Sequence, residues 1–417
     1  MADQKLATLL SQLFAAPSPA AAVSFLTSKS VSAQQRSSLA KLASLSHGWV
    51  TCDQSVPGNA PDLAGEIAAE LYEPFWFYRR SLALGPRELF EQRRATGPLK
   101  KKKTKKDLEP YWVAQGGTAR QAFLPASPAG TFDAVVHFVQ AGSGTGVHVG
   151  GGRVLTCAHV VDSRDDDGDE DDGGKAPPGR IGRRKVVVFG SGRAFVATCV
   201  AAEETSDGSV DVAVVVLGAE VDLANVPPAP KPKRKRKRGG PEPEVIDLCG
   251  DDEGSEAEAA AAPLGVAAVA SSPVELGDRL FCVGNPSNVD LESISNRHGA
   301  IEFEPPTWHT SVGECQGYAD PAVRALREEQ SARGRAPTRG EVESVAGAEP
   351  LSSAEGSYLQ HSCWTYWGHS GAPLFNEGGE VAGLHCAWDD GTGMRHGQKL
   401  EDVRRVLEKA KKAKKTN

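Results

Sequence analysis

Residues 132–161, FDAVVHFVQAGSGTGVHVGGGRVLTCAHVV, decide the fold that this sequence predicts. Short Val-rich runs, AVVHFV at 134–139 and RVLTCAHVV at 153–161, are separated by a stretch rich in Gly and Ser. β-branched residues favour strands, and Gly between short apolar runs favours turns. The pattern therefore predicts an antiparallel barrel or sandwich that begins near residue 130.

Similar runs continue along the chain and fall into two sets. The first set ends with KVVVFG, AFVATCV and DVAVVVL, and the second comprises DRLFCVG, GAIEFE, YLQHSCWTY, APLFN and EVAGLHCAW. Two sets predict two barrels, one over 130–226 and one over 264–417. In the final stretch QKLEDVRRVLEKAKKAKK, acidic residues come early and lysines late, which is typical of a helix because of its dipole.

Composition limits the classes of protein that this chain can belong to. Its 417 residues suffice for two or three domains. The eight Cys lack CxxC spacing, so we expect reduced thiols and neither a structural metal nor a cofactor. No apolar run is suited to crossing a membrane.

The region before the first barrel has a different pattern. Leu6, Leu9, Leu10 and Leu13 recur at helical spacing, so residues 1–96 are predicted to form a helical module. KKKKTKK at 100–106 lies within a predicted basic linker at 97–129, because closely spaced like charges resist burial. Disordered inserts are predicted at 227–263 and near 314–350 from their polar, low-complexity composition.

Three residues provide the groups that serine acyl transfer needs. His159 follows an apolar run, Asp211 begins DVAVVVL, and Ser370 lies in WGHSGAPLF. A hydroxyl, an imidazole and a carboxylate in contact make a nucleophile, a base and the group that orients the base. Gly residues beside Ser370 permit a tight turn that directs backbone N–H groups into one oxyanion hole. The alternatives are that each residue is an ordinary barrel residue, and that Asp207 takes the role given to Asp211.

The motifs TCAHVV, DVAVVVL and GHSGAP resemble those of chymotrypsin-fold, trypsin-like serine endopeptidases. GDRLFCVGNPS at 277–287 is similar to a strand of HtrA-type proteases, although the sequence shows no evident PDZ domain. The resemblance implies a mainly β fold of two antiparallel six-stranded barrels and polypeptide substrates. It also implies that Ser370 is the nucleophile, His159 the base and Asp211 its partner, with the N–H groups of Gly368 and Ser370 as the oxyanion hole.

Two further residues are candidates for a substrate pocket. His385, in GLHC, resembles the strand His that bacterial glutamyl endopeptidases use against an acidic side chain. Trp364 lies near the pocket floor that the resemblance implies. The alternative is that these side chains serve core packing and an exposed turn, since single pocket residues predict specificity poorly.

The insert at 227–263 carries two motifs that suggest partners. PKPKRKRKR, ending at Arg238, is typical of a signal read by a nuclear import receptor, with an inert solvated linker as the alternative. VIDL at 245–248 is followed by acids and resembles a SUMO-interacting motif, in which Val245, Ile246 and Leu248 add a strand to the partner's sheet. The alternative is a chance apolar cluster in a low-complexity linker.

Location and partners follow from these motifs. We expect a nuclear protein. An organelle location, through a transit peptide in the Ala- and Ser-rich residues 1–52, and a cytoplasmic location are the alternatives. RGRAP at 333–337 resembles an AT-hook core interrupted by Ala336, which makes nucleic acid a further candidate partner. The competing function is a catalytically silent protease-like scaffold that binds SUMO-modified or chromatin proteins.

Overall fold

The computed structural model describes residues 2–43, 59–75, 131–139, 144–161, 180–205, 209–223, 263–285, 309–319, 351–388 and 394–413, with a few more between 326 and 344. The predicted basic linker at 97–129 lies outside these residues, and so does nearly all of the predicted insert at 227–263. The predicted strand GAIEFE also lies outside them. None of the helices in the described segments is long and apolar enough to cross a membrane.

The first barrel is a closed antiparallel sheet with strand order β1-β2-β3-β6-β5-β4. Its strands are β1 Val135–Phe138, β2 Gly144–His148, β3 Arg153–Thr156, β4 Arg184–Phe189, β5 Ala194–Glu204 and β6 Asp211–Val221. Successive residues of a strand face opposite sides. In β4, Val187 and Phe189 therefore pack with Phe138 in the barrel interior, whereas Val186 and Val188 pack outside it.

Helices from the start of the chain cover part of the outside of this barrel. They are α1 Ala2–Phe14, α2 Pro19–Thr27, α3 Ala33–Leu42 and α4 Asn59–Ile67, which continues as the π-helical turn Ala68–Tyr72. Leu10 and Leu13 of α1 are fully buried in one cluster with Val186 and Val188. The Phe14 and Phe75 rings stack with centroids 3.8 Å apart. These helices and the first barrel thus share a continuous hydrophobic core.

The second barrel is also closed and antiparallel, with strand order β10-β11-β12-β9-β8-β7. Its strands are β7 Arg279–Gly284, β8 His309–Tyr318, β9 Leu359–His361, β10 Pro373–Phe375, β11 Val381–Trp388 and β12 Arg395–Lys399. The prediction of two six-stranded antiparallel barrels is confirmed.

Two sequence-based boundaries in the second barrel need correction. The insert predicted near 314–350 begins too early, because residues 314–318 belong to β8 and pair with β7 and β9. The final helix was predicted from Gln398, but Gln398 and Lys399 end β12 and the helix begins at Leu400. Polar strand sequences caused both errors, because burial of these strands depends on their neighbours in the barrel.

The closing helix joins the two barrels. We number it α6, Leu400–Ala413, since a short helix α5, Ala158–Val161, precedes it in the chain. Val403, Val406 and Leu407 are buried in a cluster that contains residues of both barrels. The Arg405 guanidinium lies 2.6 Å from the Glu203 carboxylate of β5, and Lys409 also pairs with Glu203. The helix therefore links the second barrel to β5, the strand that precedes Asp211 in the chain.

Candidate active site

His159 and Asp211 meet at the edge of the first barrel. His159 lies in α5, which replaces the strand continuation expected for RVLTCAHVV, and Asp211 is the first residue of β6. The Asp211 carboxylate accepts hydrogen bonds from His159 at Nδ1, at 2.5 Å, and at the backbone N–H, at 3.1 Å. Two bonds from one carboxylate fix both the ring and the backbone of His159. The competitor Asp207 lies outside the described residues.

The electrostatics of this pair suit an imidazole that accepts protons. Burial lowers the pKa of His159, but its hydrogen bond and proximity to the Asp211 carboxylate outweigh burial and raise the pKa above its ordinary value. Burial raises the pKa of Asp211, and its bonds to His159 outweigh this effect and hold the pKa below its usual range. Asp211 is therefore ionised near neutral pH. Of the His159 side chain, 43% remains exposed to incoming substrate.

Gln398 was not identified from the sequence, although it supports the pair. Its side-chain oxygen accepts a hydrogen bond from Asp211 N at 2.9 Å, and Nε2 lies 3.4 Å from the Cys386 sulfur. Gln398 is fully buried in β12 of the second barrel. Asp211 is thus held from the opposite barrel. A buried polar residue in a Gly-containing strand gives little sequence signal.

Ser370 lies in a tight turn whose geometry depends on glycine. Gly368 and Gly371 have φ of 90° and 80°, in the left-handed region that favours glycine. A Cβ on Gly371 would lie 2.2 Å from Thr145 O and 2.9 Å from Cys157 N. The turn is therefore pressed against β2 and against the residues just before His159. The positive φ angles and this close packing explain why glycine lies on both sides of Ser370.

Two backbone N–H groups of the turn are available for a ligand. His369 N donates to Tyr366 O at 3.0 Å, and Gly371 N donates to His385 O at 2.8 Å. Within the described part of the chain, the N–H groups of Gly368 and Ser370 have no hydrogen-bond partner. These are the groups that the sequence predicted for the oxyanion hole.

Thr145, the second residue of β2, was also not identified from the sequence. It is fully buried and forms hydrogen bonds with the backbone of Gly368 and Ser370. The sequence GSGTG at 142–146 suggested only a turn, because the contacts of Thr145 are with residues far along the chain.

The two pocket candidates lie on neighbouring parts of the second barrel. His385 has 1% of its surface exposed, and its ring contacts His361 at 3.2 Å. Burial and the nearby His361 lower the pKa of His385 well below its ordinary value, so the ring is neutral. The backbone of His385 also pairs with the turn that holds Ser370. His385 O accepts from Gly371 N and His385 N donates to Ala372 O, both at 2.8 Å.

Trp364 is half-buried, and the Arg395 guanidinium lies 4.6 Å from its ring centroid. Among the described residues, its buried indole N–H has no hydrogen-bond partner, and neither has the hydroxyl of the adjacent Thr365. Buried polar groups normally find a partner. Trp364 and Thr365 therefore each carry an unsatisfied polar atom that is buried from solvent.

Thiols surround the Asp211 carboxylate. Cys157 Sγ, a ring nitrogen of His159 and a carboxylate oxygen of Asp211 lie within 4.8 Å of one another. Burial and the Asp211 charge raise the pKa of Cys157 well above its ordinary value, and burial raises that of Cys386 to about 12. Protonated thiols are poor metal ligands. Cys157 Sγ donates to His385 O at 3.3 Å and Cys386 Sγ to His396 O at 3.4 Å, so both thiols serve as hydrogen-bond donors.

Comparisons with known proteins give one family and several structural likenesses. A family model described as a trypsin-like peptidase domain matches residues 144–384, more than half of the chain. No curated protein gives a significant match. Similar solved structures include Rv3671c from M. tuberculosis H37Rv in an inactive form, with 15% identity and a TM-score of 0.34 over 68% of this chain and 89% of that chain. The serine endoprotease from Yersinia pestis has 16% identity and a TM-score of 0.36 over 70% of this chain and 66% of that one.

Proposed function

This chain belongs to the trypsin-like peptidase domain family. We propose that it is a serine endopeptidase that cuts polypeptides with Ser370, His159 and Asp211 as its catalytic residues. The observation that carries this assignment is the paired His159 and Asp211, held in one site with a serine turn whose two N–H groups are free. The N–H groups of Gly368 and Ser370 are assigned to the oxyanion hole.

In the proposed mechanism the same groups act in both half-reactions, and His159 is first the base and then the acid in each. His159 Nε2 takes the proton of the Ser370 hydroxyl as the oxygen attacks the peptide carbonyl. The N–H groups of Gly368 and Ser370 bind the resulting oxyanion. Imidazolium then donates its proton to the leaving amine, which gives an acyl-enzyme, and water releases the acyl group by the same steps. Asp211 stays ionised and stabilises the imidazolium throughout.

Labelling with a fluorophosphonate tests the assignment, because only an assembled site makes a serine strongly nucleophilic. Wild-type protein should be labelled and should cleave an unfolded polypeptide, whereas Ser370→Ala should do neither. Ser362→Ala, at an exposed serine of the same barrel, is the matched control and should behave as wild type. Full turnover by His159→Ala would contradict the assignment, because these residues act as a unit.

We further propose that Trp364 lines the substrate pocket and selects side chains that carry hydrogen-bond acceptors. Its indole N–H and the Thr365 hydroxyl are buried donors without partners among the described residues, so in this proposal a substrate side chain reaches them by displacing the side chains that cover them. A site with unsatisfied donors rejects an apolar side chain that leaves them unpaired. The His385 ring, buried against His361, completes the wall behind this pocket in the proposal.

The pocket proposal predicts a preference for Gln or Glu over Leu at the residue before the cleaved bond. Trp364→Phe removes the N–H donor and should reduce the Gln-to-Leu ratio of kcat/KM by about 10-fold. Trp367→Phe, at a tryptophan that is 57% exposed, is the control and should leave that ratio unchanged. The same Gln-to-Leu ratio of kcat/KM in wild type and in Trp364→Phe would contradict the proposal.

A nuclear location is proposed from the basic run that ends at Arg238, which lies outside the described residues. Replacing Lys235, Arg236, Lys237 and Arg238 by Ala should move a tagged chain to the cytoplasm. Replacing Lys411 and Lys412 is the charge control. A nuclear signal that stays unchanged after the four replacements in the basic run would contradict the proposal.

The burial of α1 on the first barrel argues against removal of residues 1–52 as a transit peptide.

The proposed SUMO contact, through Val245, Ile246 and Leu248, also lies outside the described residues. Ordering a few residues costs roughly 1–2 kcal/mol each, so we expect affinity in the micromolar range. A peptide spanning Glu242 to Glu258 should shift NMR signals of labelled SUMO, and Val245→Ala with Ile246→Ala should abolish the shifts. Shifts that persist in the double variant would refute the motif. Nucleic-acid binding through RGRAP at 333–337 likewise concerns residues outside the described segments.

A further inference from the structure

Thr145 connects the first barrel to the nucleophile turn of the second. Its backbone N–H donates to Ser370 O at 2.8 Å, and its hydroxyl donates to Gly368 O at 2.7 Å. The same hydroxyl accepts from Asn285 N at 2.9 Å, at the end of β7. One fully buried residue thus bonds to the turn at two points.

These two bonds bracket the peptide group that carries the Ser370 N–H. Gly368 O belongs to the peptide before it, and Ser370 O belongs to the peptide after it. The carbonyl of the central peptide, His369 O, accepts from Ala372 N at 2.7 Å. The Ser370 N–H of the same peptide therefore points away from that contact. Because a peptide group is planar, the bond to His369 O sets the direction of the Ser370 N–H. The two Thr145 bonds hold the peptides on either side, so they restrict rotation of the peptide that carries this free donor.

The Thr145 hydroxyl has little freedom to relax from this arrangement. Its one hydrogen is donated to Gly368 O, and a lone pair accepts from Asn285 N. The Thr145 carbonyl accepts from the Thr156 hydroxyl at 2.8 Å, so the backbone of Thr145 is anchored within its own barrel. A β-branched side chain also has few rotamers. The residue acts as a rigid link between the barrel that holds His159 and the turn that holds Ser370.

We propose that Thr145 is a positioning residue for catalysis, whose hydroxyl holds the Gly368 carbonyl and thereby helps to keep the Ser370 N–H of the oxyanion hole aligned with the substrate carbonyl. This inference rests on the proposed function, since it assigns Thr145 a role in the same site. Oxyanion stabilisation strengthens in the transition state, so loss of alignment should lower kcat and leave substrate binding nearly unchanged.

The test compares Thr145→Val, which keeps the shape and loses the hydroxyl, with Thr145→Ser, which keeps the hydroxyl. Thr145→Val should lower kcat by about 10- to 100-fold, with KM within about 3-fold of wild type. Fluorophosphonate labelling should slow by a similar factor. Thr145→Ser should recover kcat to within about 3-fold of wild type.

Thr131→Val is the matched control, since Thr131 is a buried threonine that precedes β1 and forms no hydrogen bond with residues 368–371. It should retain wild-type kcat even if its unfolding temperature falls. If Thr145→Val does not fold, Thr145→Ala removes the same hydroxyl without adding bulk, and the same loss of kcat is expected.

Two results would overturn the proposal. One is wild-type kcat in folded Thr145→Val or Thr145→Ala. The other is an equal loss of kcat in Thr145→Ser and Thr145→Val that follows their unfolding temperatures, because that result indicates a structural role only. Failure of the proposed function is distinguishable, since it would appear as retained activity in Ser370→Ala.

Discussion

The bond between His159 and Asp211 predicts the pH dependence of the reaction. His159 must be neutral to accept the Ser370 proton, and its pKa lies above the ordinary value because of the Asp211 carboxylate. The rate constant kcat/KM should therefore rise with pH through an apparent pKa above about 6.5. Asp211→Asn should lower kcat by roughly 10,000-fold, the loss seen when the same substitution is made in the trypsin triad.

Glu204→Gln is the control for this measurement. Glu204 also raises the pKa of His159, but through its charge alone. Neutralising it should shift the pH profile slightly to lower pH and leave kcat at its plateau near wild type. A profile in Asp211→Asn identical to that of wild type would show that another carboxylate, such as Asp207, orients the base.

At the scale of elements, docking of α6 should account for much of the stability of the second barrel. Val406 is fully buried between the barrels. Val406→Ala should lower the free energy of unfolding by about 1–3 kcal/mol, measured by urea denaturation, because it leaves a cavity. Glu401→Ala, at an exposed position of the same helix, should change it by less than about 0.5 kcal/mol. An equal loss of unfolding free energy in Val406→Ala and Glu401→Ala would contradict the docking role of Val406.

The strands that the sequence predicted best are Val-rich strands with a continuous run of buried residues, such as β4 and the first half of β6. β8 and β12 were missed because HTSVGECQGY and RHGQK carry few apolar residues, and only the closed barrel buries Gln398 and Arg395. In the candidate site, the local motifs predicted His159, Asp211 and Ser370, and the structure brings His159 and Asp211 into contact. Thr145 and Gln398 were not predictable, because each contributes through contacts with residues distant in sequence.

For the whole molecule, membership of the trypsin-like family confirms the class predicted from the three motifs. The predicted HtrA-type branch stays a prediction. The N-terminal helices change the expected organisation most, since the helical region and the first barrel form one hydrophobic cluster. The Asp3 carboxylate also lies 2.9 Å from the Arg184 guanidinium of β4. Residues 2–43 and 59–75 are therefore part of the folding unit that carries His159.

This shared core predicts that damage to α1 destabilises the peptidase. Leu10 is fully buried and packs in the cluster that contains Val186 and Val188. Leu10→Ala should lower the free energy of unfolding by about 2–5 kcal/mol, because the cavity forms in a core common to helices and barrel. Loss of proteolysis on heating should shift to lower temperature together with global unfolding. Lys5→Ala, at an exposed position of the same helix, should shift neither transition. If Leu10→Ala melted the helices at a lower temperature while proteolysis was lost at the wild-type temperature, the helices would be an independent module.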